Sequence, residues 1–221
     1  MKTKKVSVII TNYNRGKLID RAIRSCFDQV LFTGIKLEVI VVDDASTDNS
    51  IKILEMYGDS IILVKHFKNM GVSSASNSGI KKATGDFIIR LDADDFLNKM
   101  SIFIITSILT ENKDIDFVYT DHFRVDNLGF KEKKVKLDTM EMLFEHGAGV
   151  MFRRKVFSEL GGYDEKLKNC EDYDLLIRVV SKYKGYYLPL ALYRYHINGD
   201  NLTLKDEREM YKKIVRERHG I

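Results

Sequence analysis

Three carboxylates stand within four residues at Asp92, Asp94 and Asp95. They follow directly on an apolar run, Phe87, Ile88, Ile89 and Leu91, which reads as a strand buried on both faces. Charged groups are expelled from a core or paired, often by a metal. The strand therefore ends at an open edge, where its carboxylates hold a cation, bind ligand hydroxyls or repel one another. Asp43 and Asp44 close a second apolar stretch, 37–42, and T-N-Y-N-R at 11–15 closes a third. Glu171 and Asp172 precede a helix with Leu175, Leu176, Val179 and Val180 on one face. Alone, each cluster reads equally as a solvated loop. Asp172 also reads as a helix N-terminal acid, favoured by the dipole and lowered in pKa by it.

The elements that position these clusters decide between the readings. Residues 5–11 form a strand by β-branched content. Leu18, Ile19, Ala22, Ile23, Cys26 and Phe27 then recur at helical spacing, which places Cys26 in the core. Strand 37–42 leads to a helix with Ile51, Leu54 and Tyr57, for which Ser46 or Thr47 is the expected N-cap and Gly58 the stop. Strand 61–64, helix 72–83 and the strand before Asp92 complete β-α-β-α-β-α-β. Such alternation implies a mostly parallel sheet covered by helices. In open sheets of this kind ligands bind outside the carboxyl ends of the strands. The polar clusters after strands one, two and four thus share one edge, and a ligand site there is expected.

The second half is mixed. Helix 99–109, a hairpin of 116–125 and 130–137, and a short helix 138–145 are expected. Gly147-Ala-Gly149 is a loop that lets backbone approach something closely. Strand 150–152, helix 154–160, the helix after Asp172, strand 186–195 around Pro189 and a charged surface helix, 205–218, follow. With no repeat or linker, the two halves are expected to share one core.

Composition sets bounds. The 221 residues are 44% hydrophobic and 31% charged, fitting a globular protein with a core. The 36 basic and 32 acidic residues nearly cancel, which argues against a nucleic-acid partner. No apolar stretch approaches the roughly 18 residues of a transmembrane helix, and 6–10 is too short for a signal-peptide core. Cys26 and Cys170 offer neither a disulfide framework nor metal spacing, and Cys170 is read as incidental. No G-x-G-x-x-G, P-loop or G-x-S-x-G is present. A nucleotide bound here is held without a phosphate-cradling loop, and a divalent metal on aspartates is the natural way to neutralise a diphosphate.

Four ordered motifs carry a resemblance: V-S-V-I-I-T-N-Y-N-R (6–15), E-V-I-V-V-D-D-A-S-T-D-N-S (38–50), the segment 69–95 ending in R-L-D-A-D-D, and G-G-Y-D-E-K-L-K-N-C-E-D-Y-D-L-L-I-R (161–178). Together they resemble the family 2 glycosyltransferases, inverting enzymes of the GT-A fold, over residues 5–196. The resemblance implies an α/β fold with a Rossmann-like, mostly parallel central sheet and a smaller mixed, acceptor-side portion. It divides the chain into a nucleotide-sugar-binding half, 1–98, an acceptor-side half, 99–204, and a C-terminal helix, 205–221. It implies that Thr11, Tyr13 and Asp44 line the base and ribose pocket, with Tyr13 stacking and Asp44 accepting from a base N–H. Asp92 and Asp94 match the D-x-D motif, Asp94 as metal ligand and Asp92 toward ribose or a metal-bound water; Asp95 stays open between loop and sugar. Asp172 is implied as catalytic base, and His196 as a further metal neighbour. The implied cofactor is Mn²⁺ or Mg²⁺. The implied partners are a nucleoside diphosphate sugar, UDP-linked first, and a hydroxyl of a glycan or lipid-linked acceptor in surface polysaccharide synthesis. The expected compartment is the cytoplasm, with contact at the inner face of the membrane as a further option. Ser76 departs from the pattern, standing where relatives carry an arginine that supports the donor site. It favours the alternative of a non-catalytic nucleotide-sugar-binding protein. A sugar-phosphate nucleotidyltransferase is disfavoured, because 12–17 is not a Gly-rich phosphate loop.

Overall fold

The computed structural model describes residues 3–197 and 207–221. Its first half runs β1 (Lys4–Asn12), α1 (Ile19–Phe27), β2 (Ile35–Asp43), α2 (Ser50–Glu55), β3 (Ile62–Lys65), α3 (Val72–Lys82) and β4 (Phe87–Asp92). Then come β5 (Phe96–Leu97), α4 (Ser101–Glu111), β6 (Phe117–Val125), β7 (Lys131–Val135), α5 (Met140–His146), β8 (Met151–Arg153), α6 (Arg154–Leu160), α7 (Glu171–Val180), β9 (Gly185–His196) and α8 (Glu207–His219).

One sheet carries all nine strands, in the order β3-β2-β1-β4-β8-β6-β9-β5, with β7 paired to β6. β3, β2, β1 and β4 are parallel neighbours. β8 runs antiparallel to β4, and β6 antiparallel to β8. The sheet thus passes from the parallel half into the mixed half without a break. Alternation along each strand sends side chains to two apolar layers. Val8, Ile10, Ile89 and Leu91 pack with Ile19, Ile23, Leu54, Ile102 and Ile105, under α1, α2 and α4. Ile9, Ile40, Ile88 and Phe117 pack with Ala75, Leu143, Val156, Leu175 and Val179, under α3, α5, α6 and α7. Both layers draw on both halves, as expected of one shared core.

Three expectations change. β5 is only two residues long and gives no periodic signal, yet it pairs with β9 and closes the sheet beyond the acidic cluster. α2 begins at Ser50, after Asn49; Ser46 and Thr47 stay in the preceding loop, and the Ser46 hydroxyl donates to Asp43 Oδ1 at 2.6 Å instead of capping. α8 is no bare surface helix. Val215 is fully buried against Leu167, Tyr173 and Ile177, and Arg208 and Lys212 both pair with Glu145. The expected start of that helix at Lys205 and the boundary at 204 lie outside the described residues.

Candidate active site

The carboxyl ends of β1, β2 and β4 open into a cleft of about 990 Å³. Thr11, Tyr13, Asp44, Asp92, Asp94, Asp95 and Asp172 all line it. Its far end is formed by His122, Phe144, His146, Gly147, Ala148 and Tyr195. That size suits a ligand larger than a mononucleotide's base.

On the β1–β2 side, parallel register sets Thr11 beside Asp92 and Asn12 beside Asp43. The Thr11 hydroxyl donates to Asp92 Oδ1 at 3.2 Å. Asn12 Nδ2 donates to Asp43 Oδ1 at 2.7 Å, so Asp43 builds the loop while Asp44 faces the cleft. The Asp44 carboxylate is 3% exposed and heavily used: Met70 N–H donates to Oδ1 at 2.9 Å, Gly71 N–H to Oδ2 at 2.7 Å, and His66 Nδ1 lies 2.6 Å from Oδ1. A carboxylate offers about four acceptor positions, so room for one further donor remains. Tyr13 is 45% exposed and lines the cleft as an open aromatic face.

The acidic cluster separates into distinct environments. Asp95 is buried, accepting from the Tyr193 hydroxyl at 2.7 Å and from His196 N–H at 2.7 Å. Burial, with Asp94 and Asp92 beside it, pushes its pKa well above the ordinary carboxylate range. Asp95 therefore joins the loop to β9. Asp94 keeps its carboxylate at the cleft, 3.4 Å from Arg15 Nε. The His196 imidazole does not line the cleft; its Nε2 lies 2.8 Å from Asn127 Oδ1. Burial, aided by the charge of Arg21, holds its pKa below the ordinary value.

No cluster of three or more His, Cys, Asp or Glu arranged for a metal occurs among the described residues. That does not conflict with Mn²⁺ or Mg²⁺, which are commonly held by one or two carboxylates together with substrate phosphates. Asp94, a hard oxygen donor facing the cleft, fits that scheme.

Glu171 and Asp172 open α7, whose preceding residue Cys170 takes a left-handed φ of 61°. Arg90, rising from β4, sets its Nη2 2.7 Å from Asp172 Oδ2 and its Nη1 3.0 Å from Glu171 Oε1. About a third of the Asp172 side chain faces the cleft, and protein surrounds the rest. Burial pushes its pKa up to about 7; Arg90 opposes the rise, while Glu171 and Asp92 add to it. The helix dipole alone would lower it; desolvation wins. Cys170 is buried, with its thiol pushed up to about 11, which suits an inert neighbour.

Sequence reasoning missed Arg90, Arg15 and His66. Arg90 carried a signal: a lone cation inside an apolar run must find buried partners. Ser76 is also clarified. It is 1% exposed, its hydroxyl donates to Val72 O at 2.8 Å, and it does not line the cleft.

Comparison with known proteins agrees with this architecture. The chondroitin synthase of Pasteurella multocida (strain Pm70) is 28% identical over 214 residues, covering 91% of this chain and 21% of that protein. The chain thus spans about a fifth of the length of that relative. The structure of S. aureus TarS 1-349 in complex with UDP-GlcNAc superposes with a TM-score of 0.78 at 22% identity, over 96% of this chain and 66% of that one. The mannosyltransferase PcManGT from Pyrobaculum calidifontis, in complex with GDP-Man and Mn²⁺, gives 0.72 at 21% identity, over 91% and 59%. These likenesses give the GT-A-like fold. The sequence model described as glycosyl transferase family 2 matches residues 7–161, and the chain belongs to that family.

Proposed function

We propose that this chain moves a sugar from a nucleoside diphosphate sugar, a UDP-sugar first, onto a hydroxyl of a glycan or lipid-linked acceptor, with inversion at the anomeric carbon. The observation that carries this reading is geometric: Asp172 lines one cleft with the D-x-D aspartates Asp92 and Asp94, and Arg90 contacts both Asp172 and Asp92; burial also raises the pKa of Asp172. A base poised near the working pH combines the right protonation state with driving force for proton transfer. The neighbours support the donor class: TarS was solved with UDP-GlcNAc, and PcManGT with GDP-Man and Mn²⁺. The synthase relative supports polysaccharide assembly.

In this reading Tyr13 stacks on the base and Asp44 accepts from a base N–H with its remaining lone pair. Thr11 and Asp92 meet the ribose. Asp94 would hold Mn²⁺ or Mg²⁺; His196, turned to Asn127 and outside the cleft lining, is not part of that ligand set. The bound metal supplies Lewis-acid stabilisation of the charge that develops on the departing diphosphate. Asp172 takes the proton of the attacking hydroxyl. One base and no enzyme nucleophile give a single displacement, hence inversion. The acceptor enters from the end lined by His122, Phe144, His146 and Tyr195. No helix among the described residues is long and apolar enough to cross a membrane; cytoplasmic action, at the inner membrane face for a lipid-linked acceptor, completes the proposal.

A thermal-shift panel of UDP, GDP, CDP and dTDP, each with and without Mn²⁺, tests it. A ligand at 100 times its Kd adds about 2.7 kcal/mol. The expected result is metal-dependent stabilisation by UDP. Absence of a shift with every nucleotide removes the site.

A further inference from the structure

Arg90 is the one cation in the apolar run of β4, and its side chain is only 14% exposed. Its guanidinium meets three carboxylates on two elements. Nη2 reaches Asp172 Oδ2 at 2.7 Å, Nη1 reaches Glu171 Oε1 at 3.0 Å, and Nε lies 3.4 Å from Asp92 Oδ1. The Tyr163 ring lies beneath it, 5.2 Å from Cζ to the ring centroid. Asp92 ends β4, while Glu171 and Asp172 begin α7. A single planar fork therefore joins the two elements.

Neutralisation alone does not call for this arrangement. A buried ion cluster is a poor source of net stability, because desolvation offsets the attraction. A fork with fixed N–H directions supplies geometry instead, which a flexible ammonium does not. The strand register adds a second observation. Ile9 pairs with Arg90, and Ile9 is the residue that α3 sits against at Gly79, one turn beyond Ser76. Arg90 thus rises on the sheet face covered by α3, the helix that holds Ser76 where an arginine was expected.

We propose that Arg90 is a positioning residue for transfer: it fixes Asp172 against Asp92, so that the proton acceptor and the donor-binding strand keep one geometry. This rests on the reading of Asp172 as base. Misplacing a reacting group by about 1 Å can cost about 100-fold in rate, and the fork is the direct link between these two carboxylates.

The test uses the whole chain with Mn²⁺ and a panel of UDP- and GDP-sugars, with water as acceptor and nucleotide release as readout. It compares wild type with Arg90→Gln, Arg90→Lys, Asp172→Asn and the double variant Arg90→Gln/Asp172→Asn. Arg90→Gln is expected to lower kcat about 100-fold while the Kd for UDP with Mn²⁺ stays within about threefold of wild type. Arg90→Lys, which keeps charge but not the fork, is expected to recover about a tenth of wild-type kcat. The double variant is expected to be no slower than Asp172→Asn, because the two residues act as one unit. Wild-type kcat in either Arg90 variant, a loss confined to the UDP Kd, or an additive double variant overturns the proposal. Should Arg90→Gln fail to fold, Arg90→Lys and its split between kcat and Kd decide alone. If Asp172→Asn retains turnover, or wild type turns over no donor in the panel, the underlying reading of the site fails and takes this one with it. An active Arg90→Gln beside an inactive Asp172→Asn removes only the role of Arg90.

Discussion

His66 Nδ1 lies 2.6 Å from Asp44 Oδ1, joining the residue after β3 to the residue after β2 at the rim of the cleft. With the N–H groups of Met70 and Gly71 on the same carboxylate, this contact shapes the loop that leads into α3. Asp44→Ala strands those part-buried donors; a fully buried donor costs about 1–3 kcal/mol when left unpaired. We expect a stability loss of about 1–2 kcal/mol in urea denaturation, together with weaker UDP binding by calorimetry. Wild-type values for both would show that the loop holds itself.

Transfer should depend on pH through Asp172. Its pKa is pushed up to about 7, and only the ionised form accepts a proton. Activity should therefore climb as pH rises through about 7. A kcat/KM profile from pH 5 to 9 measures the limb. A profile flat below pH 6 would place proton removal elsewhere.

Asp172→Asn keeps the shape of the side chain but removes the proposed base. Loss of a general base costs about 10²–10⁴ in rate. The proposed base contacts, Tyr13 and Asp44, come from the loops after β1 and β2, so the Kd for UDP with Mn²⁺ should hold. Equal loss of binding and turnover would point to a structural part instead.

Glu38 provides a separate handle on stability. Burial would raise its pKa, but hydrogen bonds from Lys5, Ser7 and Thr84 outweigh that and bring it down to about 2. A carboxylate depressed in the folded state stabilises above its unfolded pKa, and the contribution disappears as pH falls through the folded value. At neutral pH, Glu38→Gln should cost on the order of 2–3 kcal/mol. The gap from wild type should narrow between about pH 4.5 and pH 2, the ordinary and shifted values. A gap of constant size across that window, in denaturant melts, would mean that packing rather than charge sets the cost.

Much of the architecture was legible because it is local. β1, β2 and β4 announce themselves as apolar runs that end in Asn, Asp and Asp, and α3 as small residues between Gly71 and Gly85. What stayed hidden depends on partners far away in the chain. Asp95 could not be separated from its neighbours, because its role comes from Tyr193 and His196, 98 and 101 residues on. The Ser46 hydroxyl suits a helix cap equally well on sequence alone, and a nearby carboxylate on Asp43 claims it first. The rise in the Asp172 pKa is a desolvation effect of the protein packed around it, opposite in sign to what the helix position alone implies.

Only Ala93, Asp94 and Asp95 separate β4 from β5, and the sheet grips both strands. Ala93 N–H donates to Thr11 O at 3.2 Å, and Arg21 Nη2 donates to Asp94 O at 3.0 Å, so even this short link is tethered from two sides. A segment tied so tightly has no slack for added or deleted residues. Changes of length are thereby steered away from the D-A-D turn. The nearest outlet is the β6–β7 turn, whose Leu128 and Phe130 stand 79% and 68% exposed.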